Sequence, residues 1–238
     1  MYFIRKGNNG LKILQLITMK LLEKFVQLIL LSSLIITATA CRRTVQTYYP
    51  SGKMESSLTY RGKKMDGLAE WFYQNGSLKQ RMTYKRDKLE GSLIRLFING
   101  DKEAEETYHD GLKNGPSRLW GSNNTLIEEK FFHNDTLHGT FKQWYASGIP
   151  QVEGNYNHGL YAGRWFYYDE MGLLVGKGDF TKGNGLLTGF DSYGRRTREV
   201  PFKNNERNGD EKWYASDGKV VKVLTYQNGK LLQSNTDK

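Results

Sequence analysis

The chain has 238 residues and a net charge of +10; Arg5, Lys6, Lys12, Lys20 and Lys24 against Glu23 put +4 of this in residues 1–40 and leave +6 for the rest. That remainder is interspersed with Asp and Glu, which excludes the dense basic patch of a nucleic-acid-binding domain, although a weak attraction to anionic lipids is expected. Cys41 is the single cysteine, so an intramolecular disulfide and a cysteine-rich zinc site are both excluded, and 15 Tyr, 11 Phe, 5 Trp and 26 Gly against 4 Pro favour strands joined by tight turns.

Residues 1–40 read as a leader. Lys20 and Lys24 precede the apolar run at 25–36, and Ala38-Thr39-Ala40-Cys41 follows it, the layout of an export signal. The stretch resembles a bacterial lipoprotein signal, in which the cysteine after small residues is lipidated and becomes the mature N-terminus. It departs at Ala38, where Leu is most common in that pattern. Two other readings stay open. Ala38 and Ala40 suit ordinary signal peptidase, giving a secreted protein, and residues 21–40 are long enough to remain as an uncut inner-membrane anchor. Met19-Lys20 is a natural start for such a signal, which makes residues 1–18 an over-extended beginning. Arg42 stands where an Asp often retains lipoproteins in the inner membrane. By resemblance to that sorting rule, the cell envelope, and the outer membrane in particular, is favoured. Residues 41–46 then form the lipidated terminus and a short tether.

From about residue 47 to 231 the sequence repeats every 24 residues. A glycine recurs at Gly52, Gly76, Gly100, Gly148 and Gly172, with Asn124 in the remaining place, where its tolerance of positive φ lets it substitute. Eight residues after each comes an aromatic: Tyr60, Tyr84, Tyr108, Phe132, Tyr156 and Phe180. A second glycine follows fifteen after the first five: Gly67, Gly91, Gly115, Gly139 and Gly163. The register then slips by two residues and resumes with Gly194, Phe202, Gly209, Gly218 and Tyr226. Seven units and a final half result, followed by a polar tail at 232–238.

Each unit predicts a β-hairpin. Its first strand ends at the aromatic, with apolar residues alternating as in Leu78, Met82 and Tyr84. A seven-residue link such as His109-Asp110-Gly111-Leu112-Lys113-Asn114-Gly115 leads to the second strand, which carries a Trp/Tyr cluster. Tyr73-Gln74-Asn75-Gly76 and its counterparts turn the chain into the next unit. The predicted architecture is all-β: an elongated, twisted antiparallel meander of stacked hairpins. One face buries the aromatics and the other is wet and charged.

Tyr226-Gln227-Asn228-Gly229-Lys230-Leu231 and Tyr73-Gln74-Asn75-Gly76-Ser77-Leu78 resemble the bacterial variant of the MORN repeat. The resemblance covers nearly all of the chain after the leader and departs at Gly121-Ser122-Asn123-Asn124, which lacks the leading aromatic. It implies a membrane-associated or scaffolding module. Bacterial proteins of this kind are often labelled YwqK-type antitoxins, so an antitoxin-like binder of a partner protein is the alternative.

Catalytic constellations are hard to find. No Gly-x-Ser-x-Gly, His-Glu-x-x-His or phosphate-loop pattern occurs. His109 and His133 occupy the same place in adjacent units, about 10 Å apart by strand spacing, too far to share a metal. That place also holds Arg61 and Lys85, so it reads as a variable position next to a turn. Glu103, Glu105 and Glu106 read as a solvated strand edge, and residues 183–189 as a degenerate hairpin where the array bends. An enzyme acting on envelope polymers is therefore a remote alternative. The expectation is a non-enzymatic envelope lipoprotein, with no metal and no cofactor beyond a covalent lipid on Cys41. Its partners would be the membrane, through that lipid, and a protein.

Overall fold

The structure, a computed structural model, describes residues 19–24 and 41–236. Nearly all of the second stretch is one open antiparallel sheet of nineteen strands, running from Arg42–Tyr48 to Lys230–Thr236, each paired with its neighbours along the chain. Two strands are interrupted: Lys88–Leu89 with Gly91–Leu96, and Glu206–Arg207 with Gly209–Tyr214. The sheet reaches further than the repeat pattern does. Residues 42–46, expected as a tether, pair with Met54–Arg61, and the tail expected at 232–238 is strand as far as Thr236. Residues 1–18 and 25–40, with most of the leader reading, lie outside the described residues.

Two kinds of turn alternate. At one edge, Tyr73 N–H donates to Ser77 O and Gly76 N–H to Tyr73 O, both at 2.8 Å, with Gly76 at φ +93°. Asn124 holds this place in its own unit at φ +61°, as expected. At the other edge the seven-residue links shrink to two-residue turns, such as Asp110-Gly111 between Lys102–His109 and Leu112–Trp120. Both central residues have positive φ, the hairpin geometry that matches strand twist. Arg86-Asp87 and Asn204-Asn205 adopt it without glycine. The second glycine of the unit makes a bulge: Gly67, at φ +138°, lies so close to Thr59 that an added Cβ would sit 2.7 Å from its Cγ2.

The two edges are spaced differently. Each tight turn after the first donates an N–H to the preceding unit, as Gly183 does to Tyr161 O and Asn205 to Gly183 O, both at 2.9 Å. Units two strand spacings apart, about 9.6 Å in a flat sheet, are here one hydrogen bond apart. Asn205 even bonds across two units, accepting from Tyr161 N–H at 2.7 Å and donating to Gly159 O at 2.8 Å. At the opposite edge tyrosine side chains span the gap. Tyr49, Tyr73 and Tyr145 donate their hydroxyls to Phe72 O, Leu96 O and Tyr168 O, each 23 residues on. One edge is gathered and the other fanned, so the sheet coils and encloses one of its faces.

That inner face holds the seven buried hydrophobic residues among the described residues: Ala69, Met82, Leu93, Ala104, Trp165, Phe180 and Val200. Its central row changes chemistry along the array. Leu58, Ala69, Met82 and Leu93 form an aliphatic core. Glu106, Ser117 and Lys130 continue the row, then Phe141, Gly154 and Trp165. Among the described residues, Phe, Tyr and Trp rings meet in one cluster around Trp165, which is 2% exposed and has ring centroids of Tyr161, Tyr156 and Phe141 at 4.6, 5.1 and 5.6 Å. Gly154 and Gly178 flank it in the neighbouring strands; Gly154 leaves room for the indole, and Gly178 leaves room for the Phe180 ring.

Candidate interaction surface

The outer face carries a row that sequence reading missed. Glu70, Arg81, Ile94, Glu105, Arg118, Glu129, Lys142 and Glu153 stand directly opposite one another on successive strands, so acid and base mostly alternate. Arg81 meets Glu70 at 2.8 Å, Arg118 meets Glu129 at 2.7 Å and Lys142 meets Glu153 at 3.6 Å. Each such exposed pair stabilises by at most about 1 kcal/mol. The larger effect is on register, because a one-residue slip would turn the whole row to the inner face. The signal was available in the columns five and eighteen residues after the first glycine.

Phe166 interrupts this row. Around it lies a groove of about 310 Å³ lined by Arg164, Lys177, Asp179, Leu186 and Thr188. Among the described residues neither Arg164 nor Lys177 forms an ion pair. The groove falls where the 24-residue register slips and the chain is rich in glycine. A second, wider depression of about 490 Å³ lies near the N-terminal end, between Lys64, Lys85, Arg86, Lys88, Glu90, His109 and Asp110. There the Asp110 N–H, with help from His109, holds the Glu90 carboxyl below its ordinary value.

Cys41 is exposed, with a free thiol, and directly precedes the first strand. Arg42 is tied to Asp66 of the next unit at 3.1 Å. A group attached to Cys41 would sit against the sheet with no spacer.

Two carboxylates are enclosed by the inner face. Glu106 was read as solvated, but its strand Lys102–His109 is paired on both sides, and the side chain points inward while Glu105 points out. It accepts from the Tyr108 hydroxyl at 2.6 Å and from Lys113 at 2.9 Å. Burial works to raise its pKa, but those two donors outweigh it and hold the carboxyl below its ordinary value. Burial and the same Glu106 bond push the Tyr108 phenol up, and burial pushes the Tyr167 phenol up to about 12. Glu211 is 1% exposed. Its Oε1 accepts from Arg198 Nε at 2.8 Å and from Trp213 Nε1 at 2.9 Å, with Arg198 Nη2 in ion-pair contact at 2.8 Å. Its Oε2 makes no hydrogen bond and lies 3.5 Å from Arg207, an ion-pair contact only.

The histidines group differently from expectation. His109 turns to Glu90 at 3.1 Å. His133, His138 and His158 gather at the tight-turn edge, with ring centroids 6.2 Å apart for the first two and 5.0 Å for the last two. Among the described residues no group of three or more His, Cys, Asp or Glu side chains could hold a metal ion. No described helix is long and apolar enough to cross a membrane.

The fold and this surface define a β-hairpin repeat protein. The MORN repeat variant family matches it at four places, residues 44–61, 65–86, 137–158 and 207–228. The first match lies within the opening hairpin, consistent with an array that begins before Gly52. No curated protein matches the chain.

Proposed function

We propose that this protein is a lipid-anchored, non-enzymatic interaction scaffold of the bacterial cell envelope. The carrying observation is the position of Cys41. The only cysteine stands exposed, immediately before the first strand, after an apolar run that ends in small residues. A lipid there holds the gathered N-terminal edge close to the bilayer, where Lys64, Lys85, Arg86 and Lys88 add attraction to anionic headgroups. The outer face is then presented lengthwise to a protein partner, with its charge row for orientation and the Phe166 groove for an apolar contact.

Fractionation of cells expressing wild type and Cys41→Ser tests the reading. Wild type is expected in the membrane fraction, extracted only by detergent, and the variant in the soluble fraction. A variant that stays with the membrane to the same extent overturns the lipid anchor. Crosslinking in intact cells then identifies the partner.

A further inference from the structure

In the charge row of the outer face every cation but one has a glutamate directly opposite. Arg81 has Glu70, Arg118 has Glu129, Lys142 has Glu153 and Lys212 has Glu199. Lys177 has Phe166 on one side and Thr188 on the other. Its ammonium rests 5.5 Å from the Phe190 ring centroid, a weak hold at an exposed site. Arg164, diagonal to Lys177, has Asp179 opposite, yet among the described residues neither cation forms an ion pair. Both line the groove of about 310 Å³ whose apolar residues are Phe166 and Leu186, the latter 43% exposed. The wide turns that end these strands have changed too. In other units the residue before the turn glycine caps the turn: Asn75, Asn99, Asn123 and Asp217 each accept the N–H two residues on, at 2.9, 3.1, 3.2 and 3.0 Å. Beside the groove that task passes to Asp169 and Asp191, which accept from Met171 N–H at 2.9 Å and Tyr193 N–H at 3.0 Å. The released tips, Met171 and Tyr193, are 81% and 82% exposed.

We propose that this groove receives an extended acidic and apolar segment of a partner protein, whose carboxylate meets Lys177 and Arg164 and whose apolar neighbours cover Phe166 and Leu186. The inference rests on the reading of the outer face as the one presented to a partner. Charge complementarity carries it. The row loses an acid at the point where Phe166 stands, and the partner's carboxylate supplies it. In an extended segment residues two apart share a face, so apolar residues two places either side of the acid lie over the groove with it. The Met171 and Tyr193 tips flank the segment where it leaves the groove towards the wide-turn edge, and add apolar contact there. Asp179 stands opposite Arg164 and disfavours a second acid.

The test titrates the peptide acetyl-Ser-Leu-Ser-Glu-Ser-Leu-Ser-amide into the full chain in a neutral detergent and follows methyl resonances. Those of Leu186 and Thr188 are expected to shift saturably, and those of the buried Leu93 to stay put. Lys177→Gln, Arg164→Gln, or Gln in place of the peptide's Glu should each weaken binding about three- to fivefold. Lys142→Gln, which removes a paired cation from the same row, should leave it unchanged. Phe166→Thr keeps a strand-favouring residue and should weaken binding at least about fivefold. Met171→Asn with Tyr193→Asn, which restores the polar tip of other units, should weaken it at least about twofold. Should Phe166→Thr fail to fold, the exposed Lys177→Gln and Arg164→Gln decide. No saturable shift of Leu186 and Thr188, or equal affinity in wild type, Lys177→Gln and Arg164→Gln, overturns the site. So do shifts caused by vesicles of phosphatidylcholine with phosphatidylglycerol and not by the peptide. The titration is independent of membrane fractionation and of crosslinking in cells. A peptide that binds while Cys41→Ser stays with the membrane removes the anchor and leaves the groove; a peptide that fails to bind while Cys41→Ser turns soluble removes the groove alone.

Discussion

Gly154→Ala is the sharpest test of how the sheet packs. Alanine normally outperforms glycine within a strand by about 0.5–1 kcal/mol, so an open site predicts a gain. Here the added Cβ would lie 2.2 Å from Trp165 Cδ2, 2.4 Å from Cε2 and 2.5 Å from Cε3, directly on the indole. The ring cannot simply move aside, because Phe141, Tyr156 and Tyr161 surround it. Its displacement also weakens the 3.2 Å bond from Trp165 Nε1 to Asn155 O. Overpacking and that bond together predict a loss of about 2–4 kcal/mol. Urea unfolding followed by tryptophan fluorescence measures it. Gly189→Ala, whose added Cβ meets Arg198 Cβ and Thr197 Oγ1 at 3.4 Å, serves as the tolerant control. In the double variant with Trp165→Leu the alanine should lose its penalty, giving a coupling of about 1 kcal/mol or more. If Gly154→Ala alone were as stable as wild type, the indole would not lie over this glycine and the account of the aromatic core would fail.

The two enclosed carboxylates make further predictions. Glu211→Ala strips the acceptor from Arg198 and Trp213 and should cost about 3–5 kcal/mol, while Glu211→Leu combined with Arg198→Met should return to wild-type stability or above; the same urea titrations decide, and a mild loss in Glu211→Ala contradicts a tight clamp. Glu106 is held below its ordinary value of 4.5. A depressed carboxyl contributes stability that is fully present above the unfolded pKa and is lost as the pH falls through the lower folded value. Wild type should therefore lose stability on acidification from about pH 4.5 downwards. Glu106→Gln should show a shallower decline there, and an unchanged slope would count against the bond with Tyr108 and Lys113.

Much of the fold was legible because a 24-residue period fixes turn positions and strand alternation together. The glycine column, Asn124 as its substitute and the hairpin pairing all follow from turn chemistry and period-two patterning. The coil of the sheet did not follow. It depends on how closely hairpin tips approach one another, as at Gly183 and Asn205, and alternation says nothing about that spacing. The same gap hid the grouping of the histidines. His109 and His133 share a sequence column, yet a neighbour in space comes from the next column, so His133 meets His138 instead. Alternation already separates Glu106 from Glu103 and Glu105; it looked solvated because the strand reads as an edge, whereas it is paired on both sides and turns Glu106 to the enclosed face. The charge row was visible in the sequence but needed the register of every hairpin before opposite signs could be seen to face each other.

The central claim is that Cys41 carries the anchor, and the mass of the mature N-terminus tests it most directly. The N-terminal peptide of membrane-extracted protein, measured intact, is predicted to begin at Cys41 and to carry a diacylglyceryl group on Sγ. An unmodified Cys41, or a terminus that retains residues from 19–40, would contradict the account.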